Sequence, residues 1–267
     1  MGITRCLLAS DLDGTLIPSG RNAQHVREVA DLVSAIAANA SLMLAYVTGR
    51  HLSLAQSGKR EIGLPPPNWF VCDAGTSIYR EANGGYEADE IYLRAMRLAL
   101  GGLSGSDVRS AIGEIDGMEL QEEEKQAEFK VSYYTKGRAE SFLDTVQSRL
   151  DRADAKVNLV ASHDTVTDRG LLDVLPAGIA KDYAVRYLQE RSGVDPRHLV
   201  YAGDSGNDRA AMLSGYRAIV VGNADPAFKK DLGSELSARG IADRVYFAEC
   251  PYAAGVLQGL RHFGFLS

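Results

Sequence analysis

Residues 4–15 read TRCLLASDLDGT, an apolar run that ends abruptly in two carboxylates spaced i, i+2 and a glycine. A short continuous apolar stretch of this kind marks a strand buried on both faces that delivers polar groups at its C-terminal end. Residues 22–39 follow with apolar side chains at helical spacing (Val26, Val29, Ala30, Val33 and Ile36), which completes the first half of a βαβ unit. The pattern then repeats. Residues 41–47 form a second buried strand that stops at Thr48-Gly49-Arg50, residues 51–62 a helix ended by Leu64-Pro65-Pro66-Pro67, and residues 69–72 a third strand. Such alternation predicts an α/β fold, a doubly wound parallel sheet with helices on both faces.

From about Gly84 the pattern changes. A helix over 88–100, a Gly/Ser stretch, strand-like runs at 118–123, 128–135, 157–161 and 171–175, and a helix at 137–150 describe an inserted, smaller α+β module. The βα order resumes with a helix at 179–192, a strand at 199–202, a helix at 208–214 and a strand at 218–221. The division this predicts is residues 1–83 with 170–267 for the core and 84–169 for the insert.

The chain has 267 residues, 29 basic and 35 acidic, for a net charge of −6, and 45% of it is hydrophobic. Those values exclude disorder and fibrous repeats. Without a basic cluster, neither nucleic acid nor an anionic membrane is expected as a partner, and an anionic substrate has to be held by local charge. The three cysteines Cys6, Cys72 and Cys250 form no CxxC pair, which argues against a disulfide framework or structural zinc and fits a reducing cytoplasm. The N-terminus reaches acidic residues too soon for a signal peptide, no apolar run approaches the ~20 residues of a membrane span, and the sixth residue is not the Ser or Thr of a myristoylation signal. A soluble, cytoplasmic protein is the expectation.

Four fragments carry the chemistry: Asp11-Leu12-Asp13-Gly14-Thr15, Thr48-Gly49-Arg50, Lys181, and Gly203-Asp204-Ser205-Gly206-Asn207-Asp208. The ligand crevice of an open parallel sheet lies at the C-terminal strand ends, so fragments far apart in sequence converge there. A lone Asp at a strand end is most often a turn or a helix cap. Four together, Asp11, Asp13, Asp204 and Asp208, would repel and raise one another's pKa unless a hard cation such as Mg²⁺ neutralised them. Thr48-Gly49-Arg50 opens a helix directly after a strand, where a hydroxyl and backbone N–H groups can meet an anion. Lys181 alone would read as a solvated helix lysine, and only its place in the set singles it out.

In type and order these fragments resemble the haloacid dehalogenase (HAD) superfamily of phosphotransferases, and the insert between the second and third fragments resembles the α+β cap of its sugar-phosphate phosphatases. Within that branch the chain is similar to the sucrose-phosphate phosphatases through DAGTSIY (73–79), FKVSYY (129–134), LLDVLP (171–176) and HFGFLS (262–267), besides the core fragments. Two departures are visible. Those enzymes commonly read DLDNT where this chain has Gly14, and Asn-Lys-Gly around the lysine where this chain has Ala180-Lys181-Asp182. Neither change removes a catalytic group; both bear on which sugar is recognised.

The resemblance implies a Rossmann-like core with a cap that confers specificity, and a phosphatase acting through an aspartyl-phosphate. Asp11 would be the nucleophile, and Asp13 the acid that protonates the leaving oxygen and later activates water. Mg²⁺ would be held by Asp11, the Asp13 carbonyl and Asp204, with Asp208 acting directly or one layer out; Thr48, Gly49 and Lys181 would bind the phosphate. Arg50 is left between the phosphate loop and an acidic residue of the fourth fragment, and Asn207 is expected to order Asp208 or the lysine. In the cap, Lys130, Tyr133 and Asp164 are the expected sugar contacts, with Tyr134 and His163 beside them. The implied substrate is a disaccharide phosphate, sucrose 6-phosphate foremost. Mannosylfructose phosphate, trehalose phosphate and glucosylglycerol or mannosylglycerate phosphates stay open, as do association with the sugar-phosphate synthase and a non-catalytic sugar-phosphate-binding module.

Overall fold

The structure, a computed structural model, describes residues 5–20, 22–164 and 167–266; the ends of the expected first strand at Thr4 and of the last quoted segment at Ser267 lie outside them. The chain runs β1 (Cys6–Ser10), α1 (Ala23–Ala37), β2 (Leu42–Val47), α2 (Leu52–Ile62), β3 (Trp69–Cys72), β4 (Ser77–Ala82), β5 (Gly85–Ala88), α3 (Glu90–Ala99), α4 (Gly105–Ile112), β6 (Met118–Leu120) and β7 (Val131–Thr135). It continues α5 (Leu143–Arg152), β8 (Val157–Asp164), β9 (Arg169–Pro176), α6 (Lys181–Ser192), β10 (Leu199–Gly203), α7 (Arg209–Met212), β11 (Arg217–Val220), α8 (Pro226–Ala238), β12 (Val245–Phe247) and α9 (Tyr252–His262).

The larger sheet has the order β12-β11-β10-β1-β2-β3-β4-β5. Pairing is parallel from β12 to β3, and β4 and β5 add an antiparallel hairpin. Alternate residues of each parallel strand face opposite sides, and both sides are buried. Leu8, Leu44, Phe70, Val200 and Ile219 pack on Val29, Leu32 and Ile36 of α1 and Val256 and Leu260 of α9. Leu7, Ala45, Val71, Tyr201 and Ala218 pack on the other side, with Val185 and Leu188 of α6, Met212 of α7 and Leu232 of α8. The sheet is thus doubly wound, as the alternation predicts. Helix α1 turns slightly from its expected stripe: Leu32 is buried, whereas Val26 and Ala30 are exposed.

A separate antiparallel sheet has the order β6-β7-β9-β8. Val131 and Tyr133 of β7 and Leu172 and Val174 of β9 face Val108 and Ile112 of α4 and Val146 and Leu150 of α5. By the period of two, Lys130, Ser132 and Tyr134 take the opposite face, where Ser132 pairs in register with Asp173. Residues 170–176, assigned from sequence to the core, hydrogen-bond in this smaller sheet, and the larger sheet continues past residue 84 through β5. The expected helix at 137–150 opens with a 3₁₀ turn, and its α-helical part begins at Leu143. Among the described residues no helix is long and apolar enough to cross a membrane.

Candidate active site

Strand β1 hands over to the first acidic pair. The Asp11 N–H donates to the Ala202 carbonyl at 2.9 Å, which fixes the crossing from β1 beside β10, and Asp11 is buried. The chain then turns through Gly14 at φ +77°, with its carbonyl accepting from Asn223 Nδ2 at 2.7 Å. A Cβ at Gly14 would stand 2.3 Å from the Asp204 carboxylate, and one at Gly203 2.5 Å from the Asp208 carboxyl carbon. The two glycines therefore give the acidic groups room to converge. Carboxylate oxygens of Asp11, Asp204 and Asp208 lie within 4.8 Å of one another.

Lys181, at the first position of α6, projects into this cluster and is fully buried. Its Nζ donates to Asp11 Oδ1 at 2.7 Å, Asp208 Oδ1 at 2.7 Å and Asn207 Oδ1 at 3.1 Å, which uses all three ammonium hydrogens. Asp208 Oδ1 also accepts from the Tyr201 hydroxyl at 2.6 Å, and its Oδ2 accepts from the N–H groups of Asp204 and Ser205 at 3.0 and 3.2 Å. Asp208 therefore holds both the lysine and the turn that carries Asp204. The Asp204 carboxylate accepts from the Thr15 hydroxyl at 3.3 Å.

The electrostatics follow from burial. Loss of water pushes the Asp11 carboxyl well above the usual carboxylate range; Lys181 opposes the shift, and Asp208, Asp204 and Asp13 add to it. Burial and then the Asp208 charge push Asp204 up to about 7. Burial by itself would discharge Lys181, yet Asp11 and Asp208 beside it hold its pKa above that of a free lysine. Asp11 and Asp208 share one ammonium and the Asp204 carboxylate stands beside them, a donor set that fits a hard divalent cation. The sign of the pH dependence is fixed by Asp204. Its folded pKa lies above the unfolded value of about 4, so without a cation it favours folding at low pH, and that contribution is lost as pH rises through about 7. Binding of a hard divalent cation near pH 6 is accordingly expected to release the Asp204 proton, and near pH 9 to release none from that group, read by titration calorimetry in buffers of different ionisation enthalpy.

The second fragment follows β2, the strand paired with β1. Thr48 is fully buried, its carbonyl accepts from the Ala74 N–H at 3.0 Å, and its hydroxyl accepts from the Arg50 N–H at 3.1 Å. Fixing the Thr48 carbonyl fixes the whole 48–49 peptide plane and so the direction of the Gly49 N–H. The acidic partner of Arg50 belongs to the first fragment, not the fourth: its Nε donates to Asp13 Oδ2 at 2.8 Å and its Nη2 to Asp13 Oδ1, a bidentate fork on a half-exposed carboxylate.

The cap residues divide. Lys130 is buried and donates to the Gly49 carbonyl at 3.0 Å, so the smaller sheet touches the second fragment directly. Tyr133 does not face the crevice; it lies in the apolar layer between β7 and the helices behind it. Asp164 closes the turn after β8 by accepting from the Thr167 hydroxyl at 2.7 Å. Sequence reading gave no role to Tyr201, Asn223 or Asp73. For Tyr201 a signal existed, because a tyrosine inside a buried strand must find a polar partner for its hydroxyl.

Known proteins are similar to this chain. The family model for sucrose-6F-phosphate phosphohydrolase matches residues 4–264. A Nitrosococcus oceani protein described as a HAD-like hydrolase is 34% identical across 97% of this chain and 72% of its own. Mannosylfructose-phosphate phosphatase of Agrobacterium fabrum is 29% identical across 97% of this chain and 96% of its own. The solved sucrose-phosphatase of Synechocystis, in complex with sucrose and phosphate, superimposes with a TM-score of 0.82 at 23% identity, covering 99% of this chain and all of that one (100%). With its parallel core sheet, separate smaller sheet and acidic triad, the chain belongs to the sucrose-6F-phosphate phosphohydrolase family, among the HAD-like hydrolases.

Proposed function

We propose that the protein is an Mg²⁺-dependent phosphatase that releases inorganic phosphate from a phosphorylated disaccharide, with sucrose 6-phosphate as the leading substrate. The observation that carries this reading is the buried set Asp11–Lys181–Asp208 with Asp204, at the end of the strand next to the one that leads to Thr48–Gly49. Asp11 Oδ1 is held by Lys181, which leaves Oδ2 to attack phosphorus. Asp13, oriented by Arg50 at the mouth of the crevice, protonates the departing sugar oxygen and then takes a proton from water. The Thr48 hydroxyl and the Gly49 N–H hold the phosphate oxygens, Lys181 adds positive charge beside them, and Asn207 and Asp208 keep the lysine in place. Asp11, the Asp13 carbonyl and Asp204 would hold the divalent cation, whose positive charge would offset the repulsion of carboxylate and phosphate, about 4 kcal/mol per unit pair at 4 Å and an effective dielectric near 20.

The segment from α3 to β9, residues 90–176, serves as the cap that receives the sugar, and Lys130 joins it to the phosphate loop. That Cys72 and Cys250 stand in no disulfide supports a cytoplasmic setting. Mannosylfructose phosphate is the second reading, supported by the relative of that activity, which this chain matches over 96% of its length. The test is phosphate release with Mg²⁺ from sucrose 6-phosphate, mannosylfructose phosphate, trehalose 6-phosphate and simple hexose phosphates. Sucrose 6-phosphate is expected to lead in kcat/KM by tenfold or more, on the order of one or two well-made hydrogen bonds. If another disaccharide phosphate leads, the sucrose assignment falls and the mechanism stands.

A further inference from the structure

The stretch after β3 is bent in a way that backbone preference does not explain. Asp73 and Ala74 both hold left-handed backbone, φ +53° and +58°, and Gly75 follows at φ +104°. Residues with a Cβ avoid this region, and two in succession are uncommon. The bend has a use. The Asp73 N–H donates to the Arg50 carbonyl at 3.0 Å and the Ala74 N–H to the Thr48 carbonyl at 3.0 Å. Gly75 passes α6 so closely that a Cβ there would lie 2.7 Å from the Ala180 carbonyl oxygen. Glycine or asparagine would serve those backbone bonds as well, so they do not by themselves require a charge at position 73.

That carboxylate lies where the two sheets meet, on a residue only 4% exposed. Beside the loss of water, the charge of Lys130 acts on it most strongly, followed by Ser77 of β4, His51 and Asp173. Lys130 is itself 4% exposed and spends one of its hydrogens on the Gly49 carbonyl. Two buried, opposite charges thus hang on the same turn: the Asp73 N–H bonds the Arg50 carbonyl and the Lys130 ammonium the Gly49 carbonyl, with two ammonium hydrogens beyond that bond. A hydroxyl matches that pair, because it accepts from the ammonium while donating to the carboxylate. A phosphate oxygen satisfies only the lysine.

We propose that Asp73 is a specificity-determining residue whose carboxylate, together with the Lys130 ammonium, receives a hydroxyl of the sugar that leaves the phosphate, a role that rests on the substrate class proposed above. The contact of Lys130 with Gly49 places this hydroxyl close to the phosphoester, within the ring that carries it. The test compares wild type, Asp73→Asn and Asp73→Gly on the best disaccharide phosphate and on p-nitrophenyl phosphate, whose leaving group has no sugar hydroxyls. Both replacements tolerate left-handed backbone, and thermal melting checks that each folds. The expected result is a fall in kcat/KM on the disaccharide phosphate about tenfold or more larger than on p-nitrophenyl phosphate, carried mainly by KM. Equal falls on both substrates would reduce Asp73 to a support of the phosphate loop and overturn the proposal, as would no fall on either. A wild type that does not prefer the disaccharide phosphate over p-nitrophenyl phosphate would overturn the substrate class itself, and the role of Asp73 with it.

Discussion

Replacing Asp11 with asparagine is expected to lower phosphate release by about 10⁴-fold or more while leaving the protein folded. The substitution keeps shape and the Oδ1 acceptor for Lys181, but an amide cannot take phosphorus as a carboxylate can. Stability should move the other way from activity. Asp11 is a buried acid whose pKa is pushed up by lost hydration and by its acidic neighbours, so its ionised form strains the cation-free protein. Thermal melting without Mg²⁺ near pH 8 is therefore expected to show Asp11→Asn at least as stable as wild type. A protein that lost activity because it lost its fold would melt earlier.

Lys181→Met should cost both. The ammonium is the buried cation that Asp11 and Asp208 share, each at 2.7 Å, on a side chain only 1% exposed. Removing one partner of such a group leaves charge buried and unpaired, at about 3–5 kcal/mol. For a chain of this length that corresponds to a melting temperature lower by roughly 10 °C. Phosphate release should fall as well, and excess Mg²⁺ should restore part of the melting temperature without the turnover. Lys181→Arg is not expected to rescue, because a planar guanidinium cannot match three acceptors arranged around a compact ammonium in a closed slot. Melting curves and phosphate assays on the same samples separate these outcomes.

Much of this was written in the chain. The apolar runs before Asp11, Thr48 and Gly203 are continuous because both faces of a parallel sheet are covered, and their abrupt polar ends mark the crevice. The smaller sheet was legible as strands but not in phase. Tyr133 and Tyr134 are adjacent, so one must face the helices and the other the opposite side, and only knowing where the helices lie decides which. That knowledge sat in the Gly/Ser stretch: Ser104 and Asp107 form a capping box that starts α4, and Val108 and Ile112 on that helix cover Tyr133. A second signal stood at Asn83-Gly84, both left-handed, which turn β4 into β5 and carry the larger sheet across the expected domain boundary. Other features were not recoverable from sequence. The fork of Arg50 on Asp13 and the reach of Lys130 to Gly49 join residues whose side chains meet only after folding.

The most direct measurement is to trap the covalent intermediate on Asp13→Asn, which lacks the group that activates water for the second step. With Mg²⁺ and p-nitrophenyl phosphate, whose leaving group needs no proton, the first step can still run, and acid quenching followed by peptide mass spectrometry locates the phosphoryl group. The expected result is a phosphoryl group on the peptide containing Asp11, absent when Asp11→Asn is added to the same variant. A phosphoryl group on any other residue, or turnover in Asp11→Asn comparable to wild type, would contradict the assignment of Asp11 as the nucleophile.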